Sequence, residues 1–319
     1  MKPMSEKTEA RSYSATAKEE LCRIEPENVC CLLAELSGIV SSAGSVLIRP
    51  GGGRRLFVET ENDAVAARTM RLLRDVFDVQ PDVMDLTRTR LGGRRVSRMV
   101  LEGDEAVFVL EGCGIDVLGR RSVPHDITAR KCCRKSFLRG VFLACGSVTD
   151  PDKGYHLELV LEDESFAQSV QKLIARFGLN VHVTNRRRMS LVYLKGQEDI
   201  GDMLSLIGAQ NARFAMEDVY IRKGLRNQAN RAVNCDSANL DRSVNAALRQ
   251  TQAIELVLSR MGEESLGPVL AGTARLRLQY PEMSLDELGG MCDPPVGKSG
   301  IYHRLRKLEE LAEELRGMS

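Results

Sequence analysis

The chain has 319 residues, 43% hydrophobic and 28% charged, with a net charge of +1, which excludes pervasive disorder, collagen-like repetition and a disulfide-stapled miniprotein. Tryptophan is absent, and eight phenylalanines and six tyrosines leave the core to Leu, Val, Ile and Ala, which argues against nucleic-acid binding by aromatic stacking. Charges such as Glu35 and Arg139 interrupt the longest apolar stretches, so none reaches the 18 or so residues that a membrane span needs.

At this length two or three domains are expected. The opening residues, MKPMSEKTEARSYSATAKEE, contain acids and no apolar segment. They are expected to form a flexible leader over residues 1–15, not a secretion signal, which points to the cytoplasm. Nine cysteines include two adjacent pairs, Cys30 with Cys31 and Cys132 with Cys133, and no C-x-x-C, a pattern that fits reduced thiols. Two adjacent pairs brought together would offer four sulfurs to zinc, yet cysteine is among the most buried residue types and core packing is the plainer reading. No cofactor and no metal are expected.

An internal repeat organises the next two thirds of the chain. Residues 30–46 read CCLLAELSGIVSSAGSV and residues 132–148 read CCRKSFLRGVFLACGSV. Cys30, Cys31, Leu36, Gly38, Gly44, Ser45 and Val46 recur as Cys132, Cys133, Leu138, Gly140, Gly146, Ser147 and Val148, always 102 residues on. Each copy reads as a buried helix with a glycine stop, followed by a strand. Small residues at Ala34, Gly38 and Ser42, and at Ser136, Gly140 and Ala144, lay a smooth stripe along each helix, so the two helices are expected to pack on each other about a pseudo-twofold axis.

The first copy continues with strands near 45–48 and 55–60, a helix near 62–78, strands near 79–87 and 96–102, and a helix near 105–112. The second repeats that order, with strands near 147–149 and 155–161, a helix near 163–177, strands near 180–185 and 189–194, and a helix near 197–207. The fold class is α+β: tandem αββαββα repeats, about 16–115 and 127–210 within a domain spanning 16–221, each an antiparallel sheet with helices on one face.

The segment FLRGVFLACGSV resembles the LAGLIDADG fold of homing endonucleases, which implies two sheets forming a saddle over DNA. In those nucleases an acid precedes the signature glycine at the end of each helix, and the two acids hold divalent metal. Ala43 and Cys145 stand there instead, and neither supplies the hard oxygen that Mg²⁺ requires. A catalytic site is therefore not expected.

Basic residues cluster without intervening acids at Arg88, Arg90, Arg94, Arg95 and Arg98, at Arg186, Arg187 and Arg188, and at Arg222, Lys223, Arg226 and Arg231. On a near-neutral chain such clusters suggest phosphate contacts. Beyond residue 212 two long helices are expected, interrupted near 234–236, with a linker over 222–237 and an all-α domain over 238–319. In that domain a helix over 268–279 precedes Ser284, which opens a short helix with an S-x-x-E capping box to Glu287 and a hydrophobic staple of Met283 with Leu288. The following helix, 299–316, sets Ile301, Leu305, Leu308, Ala312 and Leu315 on one face. Its first half carries Lys298, Arg304, Arg306 and Lys307, and its second half Glu309, Glu310, Glu313 and Glu314. A helix-turn-helix reads the major groove with the N-terminal part of its second helix, so this asymmetry suits a recognition helix. Acids outnumber bases 12 to 10 over residues 238–319, which speaks against generic polyanion binding.

FLRGVFLACGSVTDPDKGYHLEL, NRAVNCDSANLDRSVNAA and DPPVGKSGIYHRLRKLEELAEEL together resemble the WhiA regulators of Gram-positive bacteria over nearly the whole chain. That resemblance implies a degenerate LAGLIDADG domain joined to a C-terminal helix-turn-helix, with a role in transcription, sporulation, and cell division or chromosome segregation. By the same resemblance Lys298, Ser299, His303, Arg304 and Arg306 belong to the recognition helix, and Tyr302 and Lys307 join them as candidate DNA contacts. The leading reading is a non-enzymatic, sequence-selective transcription regulator that binds double-stranded promoter DNA at the nucleoid. It would meet a protein of the transcription machinery and use no membrane and no small-molecule ligand. The alternative is an interaction scaffold whose LAGLIDADG-like domain binds a protein while only the C-terminal domain contacts DNA.

Overall fold

The computed structural model describes residues 12–26, 28–49, 53–88, 94–116 and 121–317, and the side chains of all of these except Arg88 and Arg94. It divides into two compact units, Met1–Lys223 and Gly224–Ser319.

The first unit contains α1 (Tyr13–Cys22), α2 (Val29–Ala43), β1 (Gly44–Ile48), β2 (Arg54–Thr60), α3 (Asp63–Phe77), β3 (Asp82–Arg88), β4 (Arg94–Glu102) and α4 (Gly103–Gly112). The second copy follows as α5 (Lys131–Cys145), β5 (Gly146–Val148), β6 (His156–Leu161), α6 (Glu164–Ala175), β7 (Val181–Arg186), β8 (Met189–Lys195) and α7 (Gln197–Ile207). The two antiparallel sheets have the orders β1-β2-β4-β3 and β5-β6-β8-β7. Their registers match: Gly44 pairs with Val58, which pairs with Met99, and Gly146 pairs with Leu159, which pairs with Val192. Side-chain alternation sends Leu56 and Val58, and likewise Leu157, Leu159 and Leu161, into one core beneath the helices.

Helices α2 and α5 cross at their central glycines. A β-carbon on Gly38 would lie 2.2 Å from the carbonyl oxygen of Phe137, and one on Gly140 would lie 2.0 Å from that of Glu35. Phe137 and Glu35 are themselves 102 residues apart, so the contact is twofold in the backbone although the side chains differ. The carboxylate of Glu35 is fully buried and accepts from Arg68 Nε at 2.8 Å, Arg68 Nη2 at 3.2 Å and Arg139 Nη1 at 3.0 Å. Burying a charge is tolerated only with such pairing. The symmetry extends outward: Ser37 Oγ donates to Cys113 O at 2.8 Å at the end of α4, and Arg139 Nε donates to Ile207 O at 2.8 Å at the end of α7.

Two expectations are corrected. Residues 13–15, expected in a flexible leader, belong to α1: Ser12 caps that helix by accepting from Ala15 N at 3.2 Å, and Ala17, Leu21 and Cys22 enter the core; residues 1–11 lie outside the described residues. Glu20 of α1 then accepts from Asn211 N and Ala212 N at 2.8 and 3.0 Å, capping the first turn of α8 (Gln210–Met261). That helix shows no interruption at 234–236, and the span 222–237, expected as a linker, is helical throughout. Its asparagines and aspartates each cost helix stability relative to Ala but do not break a helix, and residues 225–261 contain neither Gly nor Pro.

The second unit continues from α8 with α9 (Pro268–Gln279), α10 (Leu285–Gly290) and α11 (Lys298–Gly317). Ala253, Ile254 and Val257 of α8 share its core with Leu266, Ala271, Ala274, Leu288, Ile301, Leu305 and Leu308. The capping box of Ser284 with Glu287 forms as expected.

The glycine crossing is directly testable. Gly140→Ala drives a methyl into backbone and is expected to destabilise the chain by ~1–3 kcal/mol or more, whereas Gly154→Ala, which meets open space, should stay within ~0.5 kcal/mol. Denaturant unfolding of both variants is the check, and equal stability would refute the tight crossing.

Candidate nucleic-acid interface

The geometry of α10 and α11 is set by their connections. The loop between them returns onto α10, where Val296 N donates to Gly289 O at 2.9 Å, and a β-carbon on Gly289 would sit 2.2 Å from Val296 O. Only glycine admits so close a return. Before α10, the buried guanidinium of Arg277 donates to Met283 O at 2.8 Å and Pro281 O at 3.3 Å. With no carboxylate among the partners in its burial, its pKa is pushed down by desolvation.

Ile301, Leu305 and Leu308 are at most 1% exposed, which turns the rest of the first three turns of α11 outward. Lys298, Ser299, Tyr302, His303, Arg306 and Lys307 are exposed and Arg304 is half-buried. The rings of Tyr302 and His303 meet edge to face at 5.8 Å. Arg306 Nε donates to Glu310 Oε1 at 3.0 Å, with both side chains more than half exposed. Such an i, i+4 pair contributes only ~0.3–0.5 kcal/mol, so a phosphate or base can displace it. The segment 291–297 that precedes α11 carries a single acid, the exposed Asp293.

The three basic clusters fare differently. On α8, Arg222, Arg226 and Arg231 are exposed, but Lys223 is committed elsewhere: its ammonium donates to Pro151 O at 2.7 Å and Asp152 O at 2.9 Å and lies 5.7 Å from the Tyr155 ring. Arg186, Arg187 and Arg188 form the exposed tip of the β7–β8 hairpin, with Arg187 at φ 58°. In the first sheet, the neighbouring strands β2 and β3 supply the acids missing from the cluster itself. Arg98 Nε donates to Glu59 at 2.6 Å and Arg95 pairs with Asp85. Arg55 likewise pairs with Glu102, and the guanidinium carbons of Arg55 and Arg98 stand 5.8 and 5.4 Å from the Phe57 ring centre. Arg90 lies outside the described residues.

Ala43 and Cys145 stand at the last positions of α2 and α5, immediately before the glycines that start β1 and β5. Cys145 Sγ donates to Val141 O at 3.3 Å, and burial pushes its thiol up to about 12, keeping it neutral. Of the acids nearby, Glu59 accepts from Arg98 Nε, and Asp163 accepts from Phe166 N at 2.7 Å, where it caps α6. Lys18 of α1, not singled out in the sequence, lines a cavity with Glu59 and Cys145.

Three family models match in order: the WhiA N-terminal LAGLIDADG-like domain over residues 29–115, the WhiA LAGLIDADG-like domain over 134–226, and the WhiA C-terminal HTH domain over 229–312. The chain is 46% identical to the "Probable cell division protein WhiA" of Heliobacterium modesticaldum, over 95% of this chain and 96% of that one. The chain belongs to the WhiA family. The relative of the same name from Desulforamulus reducens is 42% identical over 96% of both chains. Full-length DUF199/WhiA from Thermotoga maritima, a solved structure, superimposes with a TM-score of 0.60 at 27% identity, covering 95% of this chain and 99% of that one.

The WhiA assignment brings the LAGLIDADG-like repeats and the helix-turn-helix together as two parts of one architecture, in the order the helices and sheets display. No described helix is long and apolar enough to cross a membrane. Because the helix ends of this WhiA chain offer an apolar methyl and a neutral thiol, supercoiled DNA incubated with Mg²⁺ or Mn²⁺ is expected to remain uncut. Nicking that copurifies with the protein and is lost in a point variant would contradict that expectation.

Proposed function

We propose that the chain is a non-enzymatic, sequence-selective DNA-binding transcription regulator acting in cell division, with sporulation and chromosome segregation as its wider setting at the nucleoid. The observation that carries the proposal is the surface of α11: an apolar stripe fully withdrawn into the core leaves Lys298, Ser299, Tyr302, His303, Arg306 and Lys307 presented together at the end that enters a groove in a helix-turn-helix. Base edges would be read there, Arg306 by a bidentate contact to guanine. Arg222, Arg226 and Arg231, exposed along α8, would contact phosphates and contribute affinity without sequence information. Lys223, held by two backbone carbonyls, would serve the fold instead. The family's HTH model over 229–312 and the cell-division names of the relatives support this reading. A protein contact with the transcription machinery would complete the regulator, and the exposed apolar side chains of Leu225, Val233, Leu240, Val244 and Leu248 on α8 would suit one.

Affinity for a genomically mapped target fragment and for random DNA, measured against salt, tests the division of labour. Arg306→Ala should leave stability within ~0.5 kcal/mol, weaken the target by ~1–3 kcal/mol and weaken random DNA less. Reversing the charges of Arg222, Arg226 and Arg231 should weaken both DNAs and flatten the slope of log K on log salt by ~0.9 for each phosphate no longer neutralised. Equal weakening on both DNAs for Arg306→Ala would demote that residue to a phosphate-binding role.

A further inference from the structure

The two cysteine pairs, read from sequence as core packing, are gathered into one cluster. Cys30 and Cys31 occupy the second and third positions of α2, and Cys132 and Cys133 the same positions of α5. Crossing these helices about the pseudo-twofold brings all four Sγ atoms within 4.8 Å of one another. A single tetrahedral ion with Zn–S bonds of ~2.3 Å needs sulfurs ~3.8 Å apart, a contraction that modest side-chain rotation supplies. A four-iron cluster needs its thiolates much farther apart. The donor set is all sulfur, with no histidine or carboxylate, which selects a soft or borderline ion over Mg²⁺ or Mn²⁺.

The charges around the cluster fit an anionic complex. Both helices present their positive N-terminal ends, neither has an acid in its first turn, and neither cap residue, Asn28 or Arg130, caps with its side chain. Arg130, Lys131 and Lys135 lie at the start of α5, where cations oppose the helix dipole, while Arg134 donates to Thr128 O and Ala129 O. Four thiolates around one divalent ion carry a net charge of −2, which answers both the dipoles and these cations. Arg130 Nη1 already points at Cys30 Sγ, 3.8 Å away. Cys31 and Cys133 are buried, Cys30 is half-buried and Cys132 is exposed, so the cluster is closed from beneath and open to an entering ion.

We propose that Cys30, Cys31, Cys132 and Cys133 bind one zinc ion as a closed, structural tetrathiolate that ties the two repeats together. All four are free thiols, so binding exchanges four S–H protons for four Zn–S bonds: Zn²⁺ and four thiols give the dianionic complex and four released protons. With four protein ligands no coordination position remains for water or substrate, and the ion has no catalytic role. Its place is the N-terminal end of the helix pair whose C-terminal ends carry Ala43 and Cys145. The site is independent of the proposed DNA reading by α11.

The test uses the full chain purified under reducing, metal-free conditions and then titrated with ZnCl₂ or CoCl₂. One equivalent of zinc should be retained after dialysis, and cobalt should give the intense visible and thiolate charge-transfer absorption of a tetrahedral thiolate complex. Zinc should also remove four thiols from reaction with a disulfide reagent. Cys30→Ser and Cys132→Ser, which spare the two buried positions, should each lower zinc affinity by more than the ~10–100-fold typical of removing an outer partner; Cys235→Ser, an exposed cysteine of α8, should leave it unchanged. No zinc retained by the folded wild-type chain, or stoichiometry and cobalt spectra unaffected by Cys30→Ser and Cys132→Ser, would overturn the proposal. So would reduced, folded protein in which zinc protects none of the four thiols.

Discussion

The crossing of α2 and α5 at Gly38 and Gly140 is the constraint on which the tandem-repeat unit rests. Backbone lies against backbone there, because each glycine faces a carbonyl oxygen that any side chain would strike. Apolar side chains of both helices, Leu36, Ile39, Phe137 and Leu138 among them, close the core around that contact. The one carboxylate caught between the helices, Glu35, is answered by two guanidiniums, and Ser37 and Arg139 reach past the crossing to hold the closing helices of their respective repeats. Removing one partner from a buried charge network costs far more than its net contribution, which makes this centre a point of specification. The same crossing sets both ends of the pair: sulfurs converge at the N-termini, and the two strand-initiating glycines stand at the C-termini.

Electrostatics then separates surfaces that look alike in sequence. Arg98, Arg95 and Arg55 of the first sheet are neutralised across strands by Glu59, Asp85 and Glu102, and Lys223 is spent on carbonyl groups. Among the described residues of the clusters singled out for phosphate contact, those left exposed lie at the β7–β8 hairpin tip, along α8, and on the first half of α11. In α11 a weak pair to Glu310 holds Arg306 without burying it. The second unit as a whole holds more acids than bases, so selective contacts, not bulk attraction, would have to supply its affinity.

Much of this was legible in sequence, and the failures have physical causes. The 102-residue repeat disclosed both αββαββα copies, and Ser284 with Glu287 announced α10, because helix stops, caps and alternation are local signals. Helix α1 was missed since its apolar stripe of Ala17, Leu21 and Cys22 is short and its anchors, Tyr13 to Ala212 O and Glu20 to the start of α8, are nearly 200 residues away. The expected break in α8 mistook polarity for a stop, although Asn and Asp are only poor helix formers. The pairing of Arg98 with Glu59 is not legible in the acid-free run, because the acid sits on a neighbouring strand 39 residues away. The cysteine cluster was divided by 102 residues and became visible only when the crossing brought the helix starts together.

The proposal with the widest consequence is that bases are read by α11 and not by the first sheet, where Arg55, Arg95 and Arg98 are paired with acids. Photocrosslinking tests it most directly, with a benzophenone amino acid replacing either Tyr302 on α11 or Val83, exposed on β3, in the full chain bound to a mapped target fragment. Crosslinks from position 302 to bases inside the bound sequence, abolished when that sequence is scrambled, with none from position 83, are the predicted result. Base crosslinks from position 83 and none from position 302 would contradict it.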